Sequence, residues 1–174
     1  MGKIGQAPKV KLFFGILSAD EKITEQALKL LKNKFGDIDF TSETINFDYS
    51  SYYTAEMGPE IKRFWISAEK LVSAGELADI KIFANEIEDS FAQNGKRKIN
   101  IDPGYVTPHN VILASTKNFS HRIYLEKGIY GEVTTIYTKG DYIKLPWSYP
   151  DYLSATAKPF LLKIREKLVS QLKI

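Results

Sequence analysis

The sequence of 174 residues predicts an α+β fold built on an antiparallel sheet. Three observations predict it. Up to residue 102 the hydrophobic periodicity switches in the order β-α-β-β-α-β, the order of the ferredoxin-like split β-α-β arrangement. Four short strand-like runs separated by glycine-bearing turns then read as a β-meander. A last stretch with helical spacing closes the chain. The expected organisation is one domain: a ferredoxin-like core over 1–104, a meander extension over 105–152 and a C-terminal helix over 153–174.

Val10 to Leu17 is a compact apolar and aromatic run, as a buried strand requires. Ser18 followed by Glu21 matches a capping box, so a helix is expected to start there. Ile23, Ala27, Leu30 and Leu31 recur at helical spacing, and Gly36 stands where a left-handed cap belongs. Ile38 to Asp48 is rich in Phe, Ile and Thr and reads as a strand. Tyr49 to Pro59 reads as a connector, and Ile61 to Ser67 as a further strand. Leu77, Ile80, Ala84, Ile87 and Phe91 give an amphipathic helix, ended by Asn94-Gly95. Its polar side, with Glu86, Glu88 and Asp89, reads as a solvent face. Ile99 and Ile101 alternate with Lys98, Asn100 and Asp102 as a half-buried strand, with Pro103-Gly104 expected as a turn.

The meander strands are expected at Val111–Thr116, Arg122–Leu125, Ile129–Tyr137 and Tyr142–Leu145, with turns at Lys127-Gly128 and Lys139-Gly140. Pro159 suits a first helical position, and Leu161, Ile164, Leu168 and Leu172 follow at helical spacing. The Arg122–Thr134 hairpin has two registers. A two-residue Lys127-Gly128 loop sets Ile123 opposite Glu132. A three-residue loop from Glu126 to Gly128 sets Arg122 opposite Glu132 and Tyr124 opposite Tyr130. The second is preferred, because it places Ile123, Leu125, Ile129 and Val133 on one face, expected to point inward. Arg122, Tyr124, Tyr130, Glu132 and Thr134 then share the other face.

Composition excludes several functions. There is no cysteine, so disulfides, thiolate metal sites and cysteine nucleophiles are out. Hydrophobic residues at 44% and aromatics at 13% supply enough apolar area to rule out a disordered chain. No apolar run is long enough for a secretory signal or a membrane span, so a cytoplasmic protein without a membrane partner is expected. The net charge of +3 gives little reason to invoke a polyanion. Gly-x-Ser-x-Gly, the Walker pattern, Gly-x-Gly-x-x-Gly and His-Glu-x-x-His are all missing. No cofactor is specified and no metal ligand set is assigned.

The meander therefore carries the candidate site. Arg122 offers two donors to a phosphate or carboxylate, Tyr124 and Tyr130 offer faces and hydroxyls, and Glu132 can orient Arg122. A solvated sheet face with cross-strand pairs is the plainer alternative. Asn100 and Asp102 present oxygens at alternate positions, either for a divalent ion or simply to start a turn. His121, beside Arg122, is a candidate acid or base, or a surface histidine. Trp147, Tyr149, Asp151 and Tyr152 make an unusually aromatic loop, and Tyr49, Tyr52, Tyr53 and Glu56 another; such loops bind ligands or seal a core edge.

Segments across the chain resemble a family of bacterial and archaeal proteins described only as a domain of unknown function. They are Lys11–Leu17, Phe47–Gly58, Asn100–Tyr105, His121–Leu125 with Gly128–Val133, and Trp147–Tyr152. The resemblance implies one intact domain and no particular activity. The first strand and helix are also similar to those of two-histidine phosphoesterases. Those proteins use His-x-Ser/Thr motifs; here the histidines read His109-Asn-Val and His121-Arg-Ile, so the paired-imidazole mechanism does not carry over. Three functions are thus in view. The first is binding of an anionic ligand, a nucleotide or an RNA end, with Asn100, Asp102, Trp147 and Tyr149 at the rim. The second is a homo-oligomeric assembly module. The third is a phosphohydrolase or transferase using a divalent metal at Asp102 and Glu132.

Overall fold

The computed structural model describes residues 2–50 and 52–173. Its first strand, β1 (Val10–Ser18), is buried at every position, which explains why its sequence is a continuous apolar run instead of an alternation. Leu12, Phe14 and Ile16 point into one core and Phe13 into another. Helix α1 (Glu21–Phe35) follows. Its cap is Asp20, whose side chain accepts from the Ile23 N–H at 2.9 Å. The expected box on Ser18 does not form, because Ser18 still belongs to β1 and its hydroxyl donates to Lys98 O. Gly36, at φ +91°, ends the helix as expected.

The expected strand over Ile38–Asp48 is two short pieces, β2 (Ile38–Thr41) and β3 (Ile45–Asn46). Between them Ser42 bonds Trp65 in place of a ladder: its N–H donates to Trp65 O, and its hydroxyl accepts from the Trp65 N–H, both at 2.9 Å. The connector holds a short helix, α2 (Tyr52–Met57). Then come β4 (Lys62–Val72), α3 (Leu77–Ser90) and β5 (Ile99–Val106). The remaining elements are β6 (Asn110–Ser115), β7 (Arg122–Glu126), β8 (Ile129–Thr138), β9 (Asp141–Lys144) and α4 (Ala157–Leu172). Pro159 is thus the third helical residue, not the first.

The strands form one antiparallel sheet in the order β2-β4-β1-β5-β6-β8-β7, with β3 also on β4 and β9 also on β8. β4 lies between β1 and β2, and β1 between β4 and β5, so each of α1 and α3 crosses over one intervening strand. Both helices cover one face, where Ile23, Ala27, Leu31, Ile80, Ala84 and Ile87 meet β1, β4 and β5. The C-terminal helix covers the other, packing Phe160, Leu161, Ile164 and Leu168 on Phe13, Trp65 and Leu113. Among the described residues no helix is long and apolar enough to cross a membrane.

Further expectations need correction. Pro103-Gly104 is not a turn but runs through the middle of β5, opposite Phe14 and Phe13 of β1. Proline is tolerated there because β5 has no outer neighbour before Gly104, so its missing N–H breaks no ladder bond. In the hairpin, Arg122 does face Glu132 and Tyr124 faces Tyr130. The loop, however, has two residues: Glu126 faces Ile129, Lys127 and Gly128 both have positive φ, and a bulge at Leu125 shifts the register. The faces hold only in part: Ile129 is buried and Tyr124 exposed, as expected. Ile123 is 70% exposed, whereas Glu132 and Thr134 are buried, because the aromatic segment after β9 folds over the polar face.

Candidate functional site

β5 and β6 pair only over Gly104–Val106 and Val111–Leu113. Towards its start β5 runs on alone beside β1, while β6 continues along β8 to Ser115. The sheet therefore parts, and the gap opens into a cleft of about 430 Å³, within the range of small-ligand sites. Leu17, Arg63, Asn100 and Asp102 line its inner side. Ser115, Lys117, Arg122 and Glu132 line the opposite wall, Tyr49, Tyr52 and Tyr53 form a third, and Tyr149 to Tyr152 close one end.

Parting leaves Ile101 without a β6 partner, and α3 supplies the missing bonds. The Ile101 N–H donates to Glu88 Oε1 at 2.6 Å, and Lys81 Nζ donates to Ile101 O at 3.0 Å. The expected solvent face is thus wrong for Glu88, which is buried. Burial raises its pKa, against the pull of Lys81. Arg97 joins the same network. It grips Glu56 of α2 in a two-pronged bond, 2.8 Å from each of Nε and Nη2, and donates from Nη1 to Asn100 Oδ1 at 2.8 Å. The fork holds the Glu56 carboxyl below the usual range. Asn100 in turn donates to Asp102 Oδ2 at 2.9 Å.

Arg63 is the centre of the inner end. Its guanidinium carbon lies 4.8 Å from the Trp65 ring and 5.1 Å from the Tyr152 ring. Nη1 is 3.4 Å from Asp102 Oδ2, and Nη2 is 3.0 Å from Asp151 Oδ2. Burial opposes its charge, but Tyr152, Asp151 and Asp102 outweigh that and raise its pKa. Burial raises the Asp151 carboxyl despite Arg63. Gly15 of β1 makes the room: a Cβ there would stand 2.7 Å from the Tyr152 hydroxyl and 2.9 Å from Arg63 Nη2. Arg63 Nε and the Tyr152 hydroxyl have no hydrogen-bond partner among the described residues.

At the opposite wall Glu132 accepts from Arg122 Nε at 2.8 Å and lies 2.9 Å from His121 Nε2. Arg122 also donates from Nη1 to Lys117 O and from Nη2 to the Tyr149 hydroxyl, both at 2.9 Å. Lys117 is exposed, its ammonium 5.8 Å over the Tyr52 ring, with no ion-pair partner among the described residues.

Of the residues singled out from sequence, the fold brings Asn100, Asp102, Arg122, Glu132 and Tyr149 to the cleft, together with Tyr49, Tyr52 and Tyr53 of one aromatic loop and Asp151 and Tyr152 of the other. Tyr124 and Tyr130 pack edge to face at 5.4 Å outside its lining. Trp147 and His121 lie outside it too, stacked at 5.0 Å, with the Trp147 indole donating to Val133 O. His109 is exposed in the β5–β6 turn. Sequence reasoning missed Arg63, Lys81, Arg97 and Lys117. The readable signal was Arg63, which alternates with Trp65 and Ser67 on one strand face. Among the described residues no group of three or more acids or histidines is placed to hold a metal.

A family described as a domain of unknown function, DUF4416, matches residues 8–168. The chain belongs to this family. No curated protein and no solved structure matches it. The likeness of the first strand and helix to two-histidine phosphoesterases is therefore not supported. The family assignment carries no activity, so the cleft is the starting point for function.

Proposed function

We propose that this protein binds an anionic ligand, a nucleotide or an RNA end, in the cleft between β5 and β6, and does so in the cytoplasm. The observation that carries the reading is the pairing of Lys117 and Arg122 at one wall with tyrosines on two others. An ammonium without a carboxylate partner is available to a phosphate, while Arg122 is held in place by Glu132, Lys117 O and Tyr149. Tyrosine faces suit a base or a sugar, since stacking is tolerant of which base is presented. The role first expected for Tyr124 and Tyr130 passes to Tyr49, Tyr52 and Tyr53.

Calorimetric titration with the four ribonucleoside monophosphates and a short RNA tests this. Binding should weaken with added salt. Lys117→Ala should weaken it about tenfold, the loss of one charge-assisted bond. Lys117 is exposed, so that variant tests the ligand without disturbing the core. No binding at millimolar ligand, or an unchanged affinity in the variant, overturns the reading.

Assembly with a second copy is favoured by a different observation: Ile123 and Leu125 on β7 and the facing Ile136–Ile143 pair are exposed. Light scattering at high concentration decides it. The divalent-metal reading has no such support, since Asp102 and Glu132 already accept from arginine, asparagine or histidine.

A further inference from the structure

The two ends of the cleft differ in chemistry. The outer end is basic through Lys117, which is exposed and has no ion-pair partner among the described residues, while Arg122 behind it is offset by Glu132. At the inner end the Arg63 guanidinium is shared by the carboxylates of Asp102 and Asp151, and Lys81 stands 3.9 Å from Asp102. Charges there nearly cancel. Acceptors and donors lie side by side: the carboxylates accept, and Arg63 Nε and the Tyr152 hydroxyl are donors with nothing to donate to among the described residues. Tyr152 is 1% exposed and Arg63 equally buried, yet both line the cleft. The Tyr152 hydroxyl is turned onto Gly15 and the Trp65 indole, so the group at this end that a ligand can reach is the Asp102 carboxylate.

A phosphate is a poor fit for that group. It would meet Asp102 and Asp151 at the guanidinium that both already share, and like charges that close repel. A hydroxyl meets no such penalty. It donates to a carboxylate, which is how acidic side chains grip the hydroxyls of a ribose. Asp102, whose side chain is 28% exposed, is open to such contact.

From this we infer that the cleft takes a phosphorylated sugar with its hydroxyl-bearing ring inward, against Asp102, and its phosphate outward at Lys117 and Arg122. This rests on the anion-binding reading above and deepens it. A free nucleotide and the 3′ end of an RNA share this chemistry, since each ends in a ribose diol next to a phosphate. A base would lie along Tyr52 and Tyr53.

Calorimetry on the full chain tests the orientation with adenosine monophosphate, its 2′,3′-dideoxy analogue, ribose 5-phosphate, inorganic phosphate, and a short RNA ending in a free diol or in a 3′-phosphate. Adenosine monophosphate and ribose 5-phosphate should bind, and loss of the diol should weaken binding at least about tenfold. Asp102→Asn should shrink that difference while circular dichroism stays unchanged. RNA that binds with a free end and not with a blocked one assigns the diol to RNA; binding of the mononucleotide alone assigns it to a free nucleotide. If the dideoxy analogue binds as well as the parent and still responds to Lys117→Ala, the orientation is wrong and the anion-binding reading stands. If no phosphate compound binds, both fall.

Discussion

Asp151 places a carboxylate where burial disfavours its charge more than Arg63 favours it, so its folded pKa lies above the unfolded value of 3.8. The folded state then holds the proton more tightly. Its contribution to stability falls as pH rises from about 4 through the folded pKa and is constant above that. Glu88 behaves likewise from 4.5 upward. Glu56 has the opposite sign: Arg97 depresses its pKa, so its contribution is full above 4.5 and is lost as pH falls through the folded value. Asp151→Asn removes the first of these terms. The variant should therefore gain stability relative to the parent between pH 4 and pH 7, read as urea midpoints at each pH. Midpoints that run parallel would show that Asp151 titrates as it does in the unfolded chain. These residues were the least legible from sequence. A lysine or glutamate beside an apolar stripe reads as solvent-facing, and nothing local announces that a strand edge, bare at Ile101, will recruit Lys81 and Glu88.

At the scale of elements, what depends on local spacing was legible and what depends on a distant neighbour was not. The apolar runs of β1, α3 and β8 locate those elements because the periodicity of a strand or helix is set by its own backbone. The Arg122–Glu132 register followed from the same patterning. Which residues of the hairpin are buried did not follow, since that depends on Trp147, Ser148 and Tyr149 downstream, which bond Val133, Thr134 and Arg122. Pro103-Gly104 failed for the same reason: a turn dipeptide is tolerated in a strand only if the outer edge is free at the proline and a neighbour presses close at the glycine. Gly104 shows that pressure. A Cβ there would stand 2.5 Å from Ile112 O, 2.7 Å from the Leu113 side chain and 2.8 Å from the Phe13 ring. Backbone cannot give way as a side-chain tip can, so Gly104→Ala should cost roughly 1–3 kcal/mol of stability. Gly75→Ala is the control: its nearest neighbour is 3.7 Å away, and it should stay within about 0.5 kcal/mol of the parent. Equal denaturant midpoints for the two variants would mean that the β5–β6 junction relaxes freely.

The whole molecule is a sheet that parts at one end, with the small aromatic segment around α2 as one wall of the opening. That segment has few ties. Six residues of α2 are too short to be stable as a helix alone. What holds them is the Glu56–Arg97 fork and a small cluster of Leu17, Met57 and Ile61 with Phe47 and Tyr53. The central strand β1, by contrast, is buried on both faces and paired on both edges. Local opening should follow that difference, with α2 exchanging its amide hydrogens long before β1. A ligand seated against Tyr52 and Tyr53 adds contacts to the weakly held segment and none to α4, which packs on Phe13 and Trp65. Hydrogen exchange with and without saturating adenosine monophosphate should therefore show protection of residues 52–57 and unchanged exchange in residues 157–172. Glu56→Gln, which removes the charge that Arg97 grips, should speed exchange of 52–57 in the free protein and leave β1 alone. Protection spread evenly over both helices would instead report a general stabilisation of the fold, and would place the ligand somewhere other than beneath the tyrosines.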